Sequence, residues 1–228
     1  MWWVKIQGRK KGFLVFAAVF LFLFLIVALV TSGTPGFLID ETVAYWADQQ
    51  TTSTVKSLMK FTSVLGSSEI ILIVTVIIGF IFLVKRNWRQ FFFFFVLSVG
   101  GVILNFLLKI IIQRERPGDE VSYIEAFNMQ LEIQSYSFPS GHTMRTTILF
   151  LFLIYLSFQF IKTTVIKYVS YLVCIVLLLA VALSRIILDA HYVTDVAGAV
   201  LISIAWFFIC LYFFYQPKRA GYPIYLHR

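Results

Sequence analysis

The sequence predicts an all-α, polytopic membrane protein: a bundle of six transmembrane helices with an amphipathic loop and helix region on its outer face. Three observations carry that expectation. Of 228 residues, 60% are hydrophobic and only 13% charged, against roughly a quarter charged in ordinary soluble domains. The apolar residues gather in charge-free runs at 12–32, 70–84, 91–108, 146–161, 168–184 and 196–216. The basic residues, finally, divide unevenly between the alternate loops that these runs define. With 25 Phe, 11 Tyr and 5 Trp, the composition also excludes a disordered tail and a secreted disulfide scaffold.

Taken in order, the run at 12–32 exceeds the roughly 7–15 apolar residues of a signal peptide and lacks a good cleavage site, so it is expected to remain as an anchor. In 33–62, Phe37, Leu38, Ile39, Val43, Ala44 and Trp46 alternate with Asp40, Glu41 and Asp48 in a helical rhythm, which predicts a helix lying along the membrane surface. The runs at 70–84 and 146–161 fall short of the ~20 residues a crossing needs, so their helices extend backward. The predicted spans are then 12–32, 64–84, 91–112, 141–161, 168–187 and 192–216, in one domain of residues 1–228. Gly100-Gly101 and Gly198-Ala199 let the third and sixth helices approach closely. The five-Phe run at 91–95 reads as lipid-facing, and Trp2, Trp3, Trp46 and Trp88 suit interfacial anchoring. Cys174 and Cys210 lie inside apolar runs, where a cysteine is a small hydrophobe.

Charge sets the expected orientation, because cytoplasmic loops retain Lys and Arg. One side holds twelve basic residues and no acid: Lys5, Arg9, Lys10, Lys11, Lys85, Arg86, Arg89, Lys162, Lys167, Lys218, Arg219 and Arg228. Both termini belong to that side, which is predicted to be cytoplasmic. The other side carries all eleven acids and seven basic residues: Lys56, Lys60, Lys109, Arg114, Arg116, Arg145 and Arg185. The formal charge of +8 does not indicate nucleic acid, since the basic residues are dispersed between apolar segments. Chemistry is expected at the outer ends, where the long loops lie.

Four segments there carry polar residues that anchoring alone does not explain. Lys109 and Arg116 are seven residues apart and share a helix face if the third helix continues to Pro117. In Pro139-Ser140-Gly141-His142, Ser140 can cap the fourth helix while its first amides form an anion site, with Gly141 allowing close approach. Arg185 closes the fifth helix. His191 and Asp195 open the sixth at an i, i+4 spacing, so the carboxylate can orient the imidazole. Three cations, a helix N-terminus, two histidines and a carboxylate describe a phosphate-transfer site that needs neither metal nor cofactor. Lys109, Arg116 and Arg185 are expected to hold the phosphoryl oxygens, with Ser140 and Gly141. His191 is the expected nucleophile, oriented by Asp195, and His142 the general acid. Arg145 and Glu69 stay open: Arg145, one turn beyond His142, can touch a headgroup, although interfacial anchoring or a local ion pair is favoured. Arg114 reads as a solvated loop charge.

These three ordered motifs, Lys109 to Arg116-Pro117, Pro139-Ser140-Gly141-His142 and Ser184-Arg185 to His191 and Asp195, resemble the signature of the type 2 phosphatidic acid phosphatase (PAP2) superfamily. The resemblance implies a six-helix membrane lipid phosphatase. It also implies phosphate binding by Lys109, Arg116 and Arg185, acid catalysis by His142, and a phosphohistidine at His191 assisted by Asp195. The expected partners are the bilayer and a lipid phosphate. Phosphatidylglycerol phosphate is the favoured substrate; undecaprenyl diphosphate is the main alternative, and phosphatidic acid and diacylglycerol pyrophosphate stay open. A lipid phosphotransferase is the rival within enzymes. A non-catalytic anion or lipid carrier is the rival of another class, disfavoured because the midplanes of the spans are almost free of charge.

Overall fold

The computed structural model describes residues 2–32, 37–117, 123–126, 129–134 and 136–215. Their helices are α1 (Trp2–Thr31), α2 (Leu38–Gln50), α3 (Ser53–Val64), α4 (Ser68–Val84), α5 (Trp88–Ile112), α6 (Gly141–Phe160), α7 (Thr164–Ile187) and α8 (Val193–Phe214). An antiparallel hairpin, β1 (Tyr123–Ala126) and β2 (Met129–Gln134), lies between α5 and α6. Among the described residues six helical segments are long and apolar enough to cross a membrane: Lys10–Thr31, Ser53–Val84, Trp88–Ile112, Gly141–Phe160, Thr164–Ile187 and Val193–Phe214. The predicted all-helical six-span architecture is therefore present, with the hairpin as a small addition to the long loop before α6.

Helix boundaries follow local chemistry. The Thr52 hydroxyl accepts the Val55 N–H at 3.3 Å and starts α3, and the Ser67 hydroxyl accepts the Ile70 N–H at 3.3 Å and starts α4. The turn between them crosses α6 and α7 at Gly66, where a Cβ would lie 2.7 Å from Val181 Cγ1 and 2.9 Å from Thr146 Oγ1. Only glycine lets that turn sit so low.

Many large apolar side chains point outward, Phe22, Leu29, Leu72, Ile111 and Leu179 among them, which suits hydrocarbon as solvent. Lipid tails are as apolar as Leu, so close packing rather than escape from water must hold the helices together. The centre is aromatic: Phe94 stacks on Phe152 at 4.3 Å, and Phe93 meets Tyr155 edge-on at 5.2 Å. The five-Phe run is thus divided, with Phe92 and Phe95 exposed and Phe93 and Phe94 buried, because successive helical residues turn by about 100°. Gly100 brings α5 against α8, where the Trp206 indole donates to Leu97 O at 3.0 Å. Gly198 instead receives the Phe138 ring, so that glycine seats the loop before α6 rather than α5.

The surface helix predicted in 33–62 exists as α2, with one of its acids turned inward. Leu38, Ile39, Tyr45 and Trp46 are exposed, whereas Asp40 is buried. The interior it meets carries a charge.

Candidate active site

The first motif does not lie on one continuous helix. α5 stops at Ile112, and Gln113 takes a left-handed backbone (φ 50°) with its N–H on Lys109 O at 3.0 Å. Arg116 therefore reaches the pocket from the irregular segment after α5 rather than from the shared helix face that the spacing suggested. Its Nη1 donates to Ala190 O at 3.3 Å. Lys109, on the last turn of α5, donates to Tyr136 O and lies 3.5 Å from Ser137 O. The Lys109 ammonium thus holds the loop that carries the second motif.

Ser140 caps α6 as its position predicts: its hydroxyl accepts from the Thr143 hydroxyl at 3.0 Å and more distantly from the Thr143 N–H at 3.5 Å. Asn105 Nδ2 donates to Pro139 O at 3.1 Å, and the Ser140 N–H reaches Asp195 O at 3.2 Å, which ties the start of α6 to α5 and α8. His142 follows on the first turn, within electrostatic reach of Arg185, Arg145, His191 and Arg116. Arg185 Nη1 donates to Ser63 Oγ at 2.6 Å, so α3 steadies one of the predicted phosphate ligands.

His191 comes from the turn after α7, where the N–H groups of Ala190 and His191 both return to Arg185 O, at 3.1 and 3.2 Å. It is buried, and its Nδ1 lies 3.5 Å from Asp195 Oδ2, too long for a direct hydrogen bond. The Ser137 hydroxyl stands between them, 3.2 Å from His191 Nδ1 and in a short hydrogen bond to Asp195. Burial pushes the His191 imidazole down to about 3, a shift that the nearby Lys109 adds to and Asp195 opposes. The ring is therefore neutral at physiological pH, with Nδ1 engaged and Nε2 left for chemistry.

Behind Asp195 lies a buried charge network. Arg114 is 3% exposed: its Nη1 donates to Asp195 Oδ1 at 2.6 Å and its Nη2 to Asp40 Oδ2 at 2.7 Å, and its guanidinium lies 4.3 Å from the Tyr192 ring centroid. Asp40 also accepts from the Thr194 N–H at 3.0 Å, and Asp195 from the Tyr192 N–H at 2.9 Å. The expectation that Arg114 is a solvated loop charge is wrong. Two carboxylates compensate its burial, and one of them arrives from a helix some seventy positions earlier in the chain. Sequence reasoning missed Ser137, Arg114 and Asp40. Ser137 lay two residues before Pro139, Arg114 lay inside the first motif, and Asp40 was an acid beside apolar neighbours; spacing alone did not show that they meet.

Lys109, Arg116, Arg185, His142, His191 and Asp195 converge at one end of the bundle, so the structure brings together the charged and imidazole groups that the three motifs named. Burial lowers the Arg116 guanidinium from its ordinary value, against the pull of Asp195. Among the described residues no three His, Cys, Asp or Glu side chains form a metal-binding group. Such a set can stabilise a transferring phosphoryl group by positive charge and pair a neutral imidazole with a second imidazole across it. One turn along α6, a cavity of about 260 Å³ runs between α4, α5 and α6 and includes Arg145 in its wall.

The two-histidine, cation-rich pocket thus lies at one end of a bundle with six helical segments able to cross a membrane. Residues 91–219 match the PAP2 superfamily, and the chain belongs to that family. It is similar to phosphatidylglycerophosphatase B of Bacillus subtilis (strain 168), at 30% identity over 157 residues, covering 68% of this chain and 73% of that relative. It is also similar in structure to a crystallised transmembrane PAP2-type phosphatidylglycerolphosphate phosphatase from Bacillus subtilis. That match has a TM-score of 0.72 and 26% identity, and covers 86% of this chain and 94% of the other.

Proposed function

We propose that this protein removes the terminal phosphate of phosphatidylglycerol phosphate through a phosphohistidine at His191, without a metal ion. The observation that carries the reading is the state of His191, which is buried and neutral with Nδ1 turned to Ser137 and Asp195. In this reading His191 Nε2 attacks the terminal phosphorus while the bond to the lipid oxygen breaks. His142 gives that oxygen its proton. Lys109, Arg116 and Arg185, with Ser140 and the Gly141 amide, hold the phosphoryl oxygens in flight. A water then gives a proton back to His142 and attacks the phosphohistidine, breaking the N–P bond and releasing phosphate. Asp195 stabilises the positive charge that appears on the His191 ring, with Ser137 bridging the two.

The relatives' names support phosphatidylglycerol phosphate as the substrate. The segregation of basic loop residues supports a site on the extracytoplasmic face with both termini inside. Undecaprenyl diphosphate is the second substrate the site suits, because it too carries a terminal phosphoryl group above an apolar tail, there joined through a P–O–P anhydride that breaks to leave the inner phosphate. The test is free-phosphate release from purified protein in defined lipid, comparing phosphatidylglycerol phosphate, undecaprenyl diphosphate, phosphatidic acid and diacylglycerol pyrophosphate. A preference for phosphatidylglycerol phosphate that persists in chelator is expected. A flat profile would reject the substrate assignment, label found only on an acceptor lipid would reject hydrolysis, and inhibition by chelator reversed by added metal would reject metal-independence.

A further inference from the structure

Arg145 lies three residues beyond His142 on α6 and is not used by the reaction steps above. Its Nε is buried with no hydrogen-bond partner among the described residues. Its Nη1 packs 3.4 Å from where a Gly141 Cβ would lie, so the side chain folds back over the start of α6 rather than reaching outward as an interfacial anchor does. Glu69 is within electrostatic reach, but none of the ion pairs formed among the described residues involves Arg145. A buried guanidinium with an unmade hydrogen bond is costly unless something else completes it.

What lies beyond Arg145 is apolar. The cavity of about 260 Å³ that includes Arg145 is walled by Ile71 and Leu72 of α4, Val99 and Val102 of α5 and Leu149 of α6. Leu72, Val99 and Val102 are exposed on the bundle surface, so the cavity opens sideways toward the place of lipid. Arg145 therefore stands between the pocket that takes the terminal phosphate and a slot suited to a hydrocarbon tail.

We propose that Arg145 is the specificity-determining contact for a second anionic group, the phosphate that lies between the terminal phosphate and the tail, with the tail seated between α4, α5 and α6. This inference rests on the phosphatase reading above and deepens it. A guanidinium suits the assignment because it binds two phosphate oxygens in one plane. The group recognised is either the phosphodiester of a glycerolipid or the inner phosphate of a polyprenyl diphosphate. Phosphatidic acid has no such group, so Arg145 contributes much less to its turnover.

The test measures kcat/KM of the wild-type protein and the Arg145→Gln and Arg145→Lys variants on phosphatidylglycerol phosphate, undecaprenyl diphosphate and phosphatidic acid in mixed micelles. In Arg145→Gln, the preference for a two-phosphate lipid over phosphatidic acid is expected to fall about 10-fold or more, the size of a lost hydrogen bond to a charged group. Arg145→Lys, which keeps the charge without the fork, is expected to fall between. Loss confined to one of the two-phosphate lipids identifies the source of the second phosphate. An equal loss on all three lipids, or no loss, overturns the proposal while leaving the phosphatase reading in place. A wild-type protein with no preference for two-phosphate lipids over phosphatidic acid overturns it too, even if both variants fail to fold. Absence of phosphate release from every lipid would refute the phosphatase reading instead.

Discussion

The two sides of the pocket differ in how their polar groups are completed. On the α8 side, Asp195 accepts from Arg114, Ser137 and the Tyr192 N–H, and Asp40 accepts from Arg114 and Thr194. Arg114 Nε is left over, but both of its Nη groups are occupied by carboxylates. On the α6 and α7 side, Arg145 Nε, Arg185 Nε and the Thr146 hydroxyl are buried without partners among the described residues. The carboxylates of the first side are fully engaged without a ligand, whereas the second side keeps more buried donors unpartnered among the described residues. A nucleophile must be aimed before substrate arrives, whereas phosphate ligands keep donors in reserve for oxygens that come with the lipid.

The comparison can be broken most directly at His191. His191→Ala is expected to lower phosphate release by at least ~1000-fold with little change in lipid binding, because a nucleophile acts in the reaction step. Turnover retained in a phosphate-release assay would remove the mechanism, and unchanged lipid movement would favour the carrier. A comparable free energy should appear as stability when Arg114→Gln leaves two carboxylates facing each other in the interior, about 3–5 kcal/mol by analogy with broken buried pairs. Arg185→Gln, on the unfinished side, should instead raise KM strongly and shift thermal unfolding in detergent far less. If the two variants lose stability equally, the sides do not differ as described.

Ser137→Ala is the next smaller effect. Loss of the bridging hydroxyl is expected to reduce kcat by about 10-fold with KM nearly unchanged, in line with one hydrogen bond of about 1.4 kcal/mol. Steady-state kinetics on one lipid decides it; a rise in KM alone would make Ser137 a substrate contact.

The remaining effect is confined to acid pH. Folded His191 is held down to about 3 by burial, while an unfolded histidine takes up a proton near 6.5. Below about 6.5 the unfolded chain therefore binds more protons, and this group costs the fold increasing stability as pH falls toward about 3; above about 6.5 it costs nothing. Melting temperature against pH should show that slope in the wild-type protein and less of it in His191→Asn. Equal slopes would mean that another group sets the acid limb.

Much of the architecture was legible because a span is a local property. Length and absence of charge in 12–32 or 196–216 suffice to predict a crossing, since unpaired backbone polar groups are not tolerated in hydrocarbon. The α2 helix was legible as a helix, but its orientation was not. Periodicity separates two faces without saying which is inside, and here a buried arginine draws the Asp40 face inward. The third span ends at 112 as predicted, but the continuation to Pro117 on which a shared helix face for Lys109 and Arg116 depended does not occur, because Gln113 takes a left-handed backbone.

By itself, the sequence determined the six apolar segments, the asymmetry of charge between alternate loops, and the motif residues from Lys109 to Asp195, because composition, spacing and residue chemistry are written along the chain. Only the tertiary structure decided that Ser137 stands between His191 and Asp195, that Arg114 joins Asp195 to Asp40, and that Arg145 faces an apolar slot. Those relations depend on direction and distance between side chains from different helices, and packing sets them.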